Sequence, residues 1–160
     1  MAWPQATDYT SAVQCPGSCF TDPALAASTA EANLMLGIPL SYCGNFAIVF
    51  KLVSPSGEAW AVKCFIREVT DHQQRYAVEF GYQDEGILIG GKAYPVVKMA
   101  WVEGHTLNEF LRDHAGSANT LDQLGQLWLR LAGEMRDARM AHGDLQHGNV
   151  MVTATGELKL

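Results

Sequence analysis

Apolar and polar positions follow one rhythm up to about residue 102 and another beyond it. Phe46 to Val53 and Ala59 to Ile66 are dense in β-branched and aromatic residues, with the turn cluster Ser54-Pro55-Ser56-Gly57 between them, which predicts an antiparallel hairpin. In its second strand, period two places Trp60, Val62 and Cys64 on one face and Ala61, Lys63 and Phe65 on the other. Polar residues 67–77 read as a short helix. Val78 to Tyr82 and Gly86 to Leu88 read as a strand pair turning at Asp84-Glu85-Gly86, and Tyr94 to Val102 as a strand after Gly90-Gly91. Then the period lengthens. Thr106-Leu107-Asn108-Glu109 is a capping-box pattern that opens a short helix. Thr120-Leu121-Asp122-Gln123 is a second such box, opening the strongest helix, whose Leu121, Leu124, Leu127, Trp128, Leu131 and Met135 recur at spacings of three and four and read as core. A polar loop, His142 to Asn149, precedes the strand-like Val150-Met151-Val152, a turn at Thr155-Gly156 and Leu158-Lys159-Leu160. Residues 1–37 read as an irregular lead holding one Ala-rich helical patch from Asp22-Pro23 to Ala32 and ending at Gly37.

Composition narrows the function classes. With 160 residues, 48% apolar and 18% charged, the chain is long enough for one domain with its own core and too apolar to be disordered. Eleven basic against 17 acidic residues give a formal charge of −6, and no basic cluster could track a phosphate backbone, so nucleic acid is not an expected partner. The start Met1-Ala2-Trp3-Pro4-Gln5 lacks a signal peptide's basic and apolar regions and no run reaches the length of a membrane span, which leads to the expectation of a cytoplasmic protein that does not engage membranes. Cys15, Cys19, Cys43 and Cys64 lack the paired spacing of a zinc site and read as reduced thiols.

The most informative segment is His142-Gly143-Asp144-Leu145-Gln146-His147-Gly148-Asn149. An Asp and an Asn five apart on one loop suit two linked tasks: Asp144 can orient and deprotonate an attacking hydroxyl, while the Asn149 amide oxygen can ligate Mg²⁺. The competing reading is a polar loop in which Asp144 caps a turn. His142 and His147 do not complete a metal-ligand set.

This loop resembles the catalytic loop of the protein kinase-like superfamily, in the H-G-D variant shared with small-molecule kinases of the aminoglycoside and choline type. Ala61-Val62-Lys63 resembles the third-strand V-A-I-K. Cys43-Gly44-Asn45-Phe46-Ala47-Ile48-Val49 resembles a glycine-rich loop with Gly44, Phe46 and Val49 in place and with Tyr42 and Ala47 at the outer glycine positions. Met99-Ala100-Trp101-Val102-Glu103-Gly104 resembles the strand-to-hinge segment. The whole is similar to a bacterial group of serine/threonine protein kinase-like proteins, over about Ile38 to Leu160.

The resemblance implies an α+β, protein kinase-like fold with an antiparallel N-lobe sheet at 38–99, a hinge at 100–104 and the first helices of a C-lobe at 105–160. It implies ATP and Mg²⁺ as cofactors and phosphoryl transfer to a hydroxyl, with a protein Ser/Thr as substrate. Asp144, Lys63 and Asn149 would be catalytic, with Asn149 on the metal. Lys63 would hold the α and β phosphates, and Gly44, Val49, Ala61, Met99, Ala100, Val102 and Met151 would surround the nucleotide.

Departures from the pattern leave two other readings, a small-molecule kinase and a non-catalytic nucleotide-binding pseudokinase or scaffold. Only 36 positions separate Lys63 from Met99, so the helix that should carry the Lys63-pairing Glu must be short; Glu68 follows too closely, and Glu79 is a weak candidate. Gln146 stands where protein kinases carry a Lys. The family's metal-binding Asp would come after Leu160, so this chain by itself is expected to be inactive, with apolar surface on the Leu-rich helix favouring self-association.

Overall fold

A computed structural model describes residues 3–68, 81–137, 139 and 145–160. The fold is mixed α+β and divides into two compact units, Met1–Trp101 and Val102–Leu160. The division falls within the segment read as a hinge. Among the described residues no helix is long and apolar enough to cross a membrane.

The first unit is built on an antiparallel sheet. The predicted hairpin forms as β3 (Ala47–Val53) and β4 (Ala59–Phe65), closed by a turn in which Gly57 takes φ 90°. β3 also pairs with two short strands, β1 (Thr29–Ala30) and β2 (Ser41–Cys43). On the other side, β4 pairs with β6 (Lys92–Ala100), which pairs with β5 (Tyr82–Ile89). Gly90 and Gly91 join β5 to β6 with φ of 58° and 79°, a two-residue turn that needs the left-handed region at both positions.

Two expectations about this region are corrected. Asp84-Glu85-Gly86 does not turn the chain; it lies inside the single strand β5 as a bulge between Gln83 and Ile87. Gly86 is there because a Cβ would overlap Val96 Cγ2 on the neighbouring strand, a close approach that marks glycine in bulges as well as in turns. Residues 69–77 of the expected short helix, and 78–80 of the strand expected before Tyr82, lie outside the described residues.

The lead is the larger correction. It holds three helices, α1 (Ala6–Ala12), α2 (Pro16–Cys19) and α3 (Pro23–Ala26), followed by β1. Pro16 and Pro23 each stand at a helix's first turn, where a missing N–H costs nothing. The Ala-rich patch is helical only through Ala26, because Thr29 and Ala30 leave for the ladder with β3. Tyr9, Val13, Cys19, Phe20 and Leu25 form one buried cluster with the inward face of the sheet, Ile48, Phe50, Leu52, Val62, Cys64 and Val96. The lead therefore supplies five of the thirteen buried residues of the principal core.

Two side chains from the lead fasten the end of β4. Trp3 Nε1 and Tyr9 Oη both donate to the carbonyl oxygen of Phe65, Tyr9 at 2.6 Å. Burial holds the Tyr9 phenol above its ordinary pKa, so it stays a donor. Tyr9→Phe is expected to lower unfolding free energy by about 1 kcal/mol, the net value of one hydrogen bond whose acceptor keeps a second donor; the urea midpoint reads it.

The second unit pairs β7 (Gly104–Thr106) with β8 (Met151–Thr153) and β8 with β9 (Leu158–Lys159). The sequence reading had no strand at β7. The expected capping box opens α4 (Leu107–His114): Thr106 Oγ1 accepts from the Glu109 N–H at 3.3 Å and Glu109 accepts from the Thr106 N–H at 2.8 Å. The second box does not open its helix. α5 (Ala118–Asp137) starts two residues before Thr120, whose hydroxyl lies 2.7 Å from that of Ser117. Leu107, Leu124, Val150 and Val152 form this unit's core, with Phe110, Trp128, Leu158 and Leu160 against it.

Candidate functional site

Register in the first sheet places several expected site residues on one face. Tyr42 faces Val49, Val49 faces Lys63, Lys63 faces Val97, and Val97 faces Tyr82, a single row across five strands. The next row is Lys51, Ala61 and Met99. Directly opposed residues of an antiparallel ladder project to the same side, so Val49, Ala61, Lys63 and Met99 share the face opposite the one covered by the lead. Period two showed Ala61 and Lys63 together; only register adds Val49 and Met99.

Lys63 stands out by its electrostatics. Three half-buried lysines lie on the central strands. Lys51 meets Glu31 at 3.1 Å, and Lys98 meets Asp22 at 3.0 Å. Among the described residues no carboxylate lies within ion-pair distance of Lys63, which sits between Val49 and Val97. A cation partly withdrawn from water with apolar neighbours attracts an anion more strongly than a fully hydrated one. Glu79, weighed as its partner, lies outside the described residues; Glu68 is exposed.

The loop joining β2 to β3 spans only Gly44, Asn45 and Phe46, closed by the Gly44 N–H donating to the Ala47 carbonyl at 2.8 Å. A Cβ on Gly44 would meet Ala47 O at an ordinary 3.5 Å, so the fold does not itself require glycine there. The Arg67 guanidinium lies 5.3 Å from the Phe46 ring centre, which puts an exposed cation beside this loop.

At the end of β6, Ala100 faces Trp60, and the next pair is joined by the Trp101 N–H donating to Ala59 O at 2.9 Å. Ladder alternation then turns the N–H and C=O of Ala100 away from β4. Val102 is half-buried and opens the second unit. The Trp101 ring lies 5.6 Å from Tyr42, with the Lys51 ammonium 5.1 Å from its centre.

In the second unit, Asp144, with His142 and Gly143, lies outside the described residues. Asn149 is half-buried and its N–H donates to the Gln146 carbonyl at 2.9 Å, closing a turn in which Gln146, His147 and Gly148 are exposed. Val150 follows at full burial, its carbonyl accepting from the Leu107 N–H at 2.8 Å. Met151 begins β8 opposite Thr106 and Lys159. Among the described residues no cluster of three His, Cys, Asp or Glu could hold a metal ion.

The sequence reading did not single out the polar knot behind Lys63's strand. Asp22 Oδ1 caps α3 by accepting from the N–H groups of Ala24 and Leu25 at 2.8 and 3.0 Å, while Lys98 Nζ and Gln83 Nε2 reach the same carboxylate at 3.0 and 2.9 Å. Asp22-Pro23 carries a legible cap signal; Lys98, 76 residues away, does not. No family model matches the chain, and the search of curated proteins returns no match.

Proposed function

We propose that this chain binds ATP on the Lys63 face of its sheet, as part of a protein kinase-like phosphotransferase that transfers the γ-phosphoryl group to a protein Ser/Thr hydroxyl. The observation that carries the reading is the common face of Val49, Ala61, Lys63 and Met99, with Lys63 lacking a carboxylate partner among the described residues. That arrangement offers an apolar surface for a base and a cation for phosphate oxygens. The strand order supports the reading too: β4, with Lys63, lies between the strand following the Gly44 loop and the strand leading to residues 100–104.

Lys63 is assigned to the α and β phosphates, Val49, Ala61 and Met99 to the adenine, Asp144 to the acceptor hydroxyl's proton and Asn149 to a Mg²⁺ ligand oxygen. Bound Mg²⁺ would neutralise phosphate charge. A small-molecule acceptor is the second reading, favoured by His142-Gly143-Asp144 and by neutral Gln146 in place of a Lys.

Displacement of a fluorescent ATP analogue by ATP tests the proposal. Lys63→Met is expected to weaken binding at least about tenfold, equivalent to about 1.4 kcal/mol, with an unchanged unfolding midpoint. Equal affinity of the variant and the parent chain would overturn the role given to Lys63.

A further inference from the structure

A nucleotide bound on the Lys63 face has a direction along β4. Ala61 and Met99, assigned to the base, oppose each other in one row, and Lys63, assigned to the α and β phosphates, lies in the row nearer the C-terminal end of β4. A strand advances about 3.3 Å per residue, so the step from Ala61 to Lys63 is about 7 Å. The same line continues past Phe65, which pairs with Ala47 at the foot of the Gly44 loop, to Ile66 and Arg67. The terminal phosphate of a nucleotide so oriented belongs at that end.

That end carries a cation. Arg67 is exposed, and among the described residues no Asp or Glu lies within ion-pair distance of it. The other described cations of the first unit, apart from Lys63, are engaged elsewhere. Lys51 meets Glu31, Lys98 meets Asp22, and Lys92 stands over the Tyr94 ring at the start of β6.

Arg67 is also held in place against the loop. Its guanidinium carbon lies 5.3 Å from the Phe46 ring centre, and the Ile66 N–H donates to Phe46 O at 3.0 Å, so the chain leaving β4 is tied to the Gly44 loop and the cationic head turns onto it. A guanidinium over a ring uses its flat face there and keeps N–H donors for an anion, and phosphate oxygens match that fork in pairs. The loop alone offers less. Of the backbone donors of Gly44, Asn45 and Phe46, that of Gly44 is already spent on the Ala47 carbonyl at 2.8 Å, and a loop that cradles phosphate by itself does so with free N–H groups.

We propose that the Arg67 guanidinium binds the terminal phosphate of the nucleotide, so that the site selects a nucleoside triphosphate over a monophosphate. This assignment rests on the reading of the Lys63 face as an ATP site. Lys63 holds the phosphates nearer the sugar, and Arg67 supplies the second positive charge that a triphosphate needs and a monophosphate does not reach.

Displacement of a fluorescent ATP analogue by ATP and, separately, by AMP tests the assignment in the parent chain, Lys63→Met and Arg67→Gln. Arg67→Gln is expected to weaken ATP about tenfold, the usual loss on removing one charge-assisted hydrogen bond, and to leave AMP within about twofold. Lys63→Met should weaken both nucleotides. The AMP arm shows that the variant is folded and its base site intact. Unchanged ATP affinity in Arg67→Gln, or an equal loss for ATP and AMP, would overturn the role of Arg67 while Lys63-dependent binding by the parent chain upheld the ATP site. A parent chain that binds neither nucleotide would overturn the ATP site itself, and the role of Arg67 with it.

Discussion

Asp22→Ala is expected to lower unfolding free energy by about 2–4 kcal/mol, the combined effect of losing a helix cap and a charge-assisted hydrogen bond in a half-buried ion pair. The carboxylate it deletes caps α3, holds Gln83 and neutralises Lys98, whose ammonium lies 4.3 Å from the Trp60 ring centre. Both charged side chains are less than one-fifth exposed, at 18% and 16%, so water cannot readily take over from either partner. Asp22→Asn separates the contributions, since Asn caps a helix about as well as Asp but carries no charge. It should recover only about 1 kcal/mol of the loss. Urea unfolding of the three chains reads all of this; an Asn variant as stable as the parent would leave the Lys98 pair without energetic weight.

The pH dependence follows from the same contacts. Burial pushes the Asp22 carboxyl's pKa up, but the Leu25 N–H and the Lys98 ammonium outweigh it and hold the pKa below its ordinary value. A group with a depressed folded pKa binds its proton more readily in the unfolded chain. Its contribution is full above the unfolded value, near 3.9, and disappears as pH falls through the lower folded value. The stability gap attributable to the Asp22 charge should therefore be constant at neutral pH and close only in acid below that ordinary value.

Leu25→Ala is expected to lower unfolding free energy by about 2–5 kcal/mol, the range for truncating a buried leucine. Leu25 is fully buried in the cluster that joins the lead to the sheet. Leu129→Ala provides the contrast: the same chemical change at a position 73% exposed should stay within about 0.5 kcal/mol. Thermal or urea unfolding distinguishes a structural lead from an appendage, because an appendage would make the two substitutions alike.

The difference between those leucines was not visible in the sequence. α2 and α3 have four residues each, too few for an apolar period to repeat or for a helix to stand without tertiary support. Their support comes from β-strands far along the chain. The β3–β4 hairpin and the Thr106-Glu109 box were legible because turn chemistry and reciprocal capping act within a few residues. Asp84-Glu85-Gly86 was misread because glycine serves turns and bulges alike, and Val96 across the sheet decides which. The candidate site divides in the same manner: Lys63 and Ala61 follow from alternation along one strand, whereas the approach of Val49 and Met99 depends on pairings between strands. The sequence also gave no sign that the lead would close the opposite face.

That closure sets an order of events during synthesis. Phe65 is 56 residues beyond Tyr9, Gly86 is 65 beyond Thr21, and Lys98 is 76 beyond Asp22. The N-terminal helices emerge with their apolar sides uncovered and acquire partners only as later strands arrive. At about 5–20 residues per second, the interval between Asp22 and Lys98 is roughly 4–15 s, during which the growing chain exposes Val13, Phe20 and Leu25. Contacts of such long range also slow refolding, so the nascent first unit has more need of a chaperone than a fold built from local contacts would.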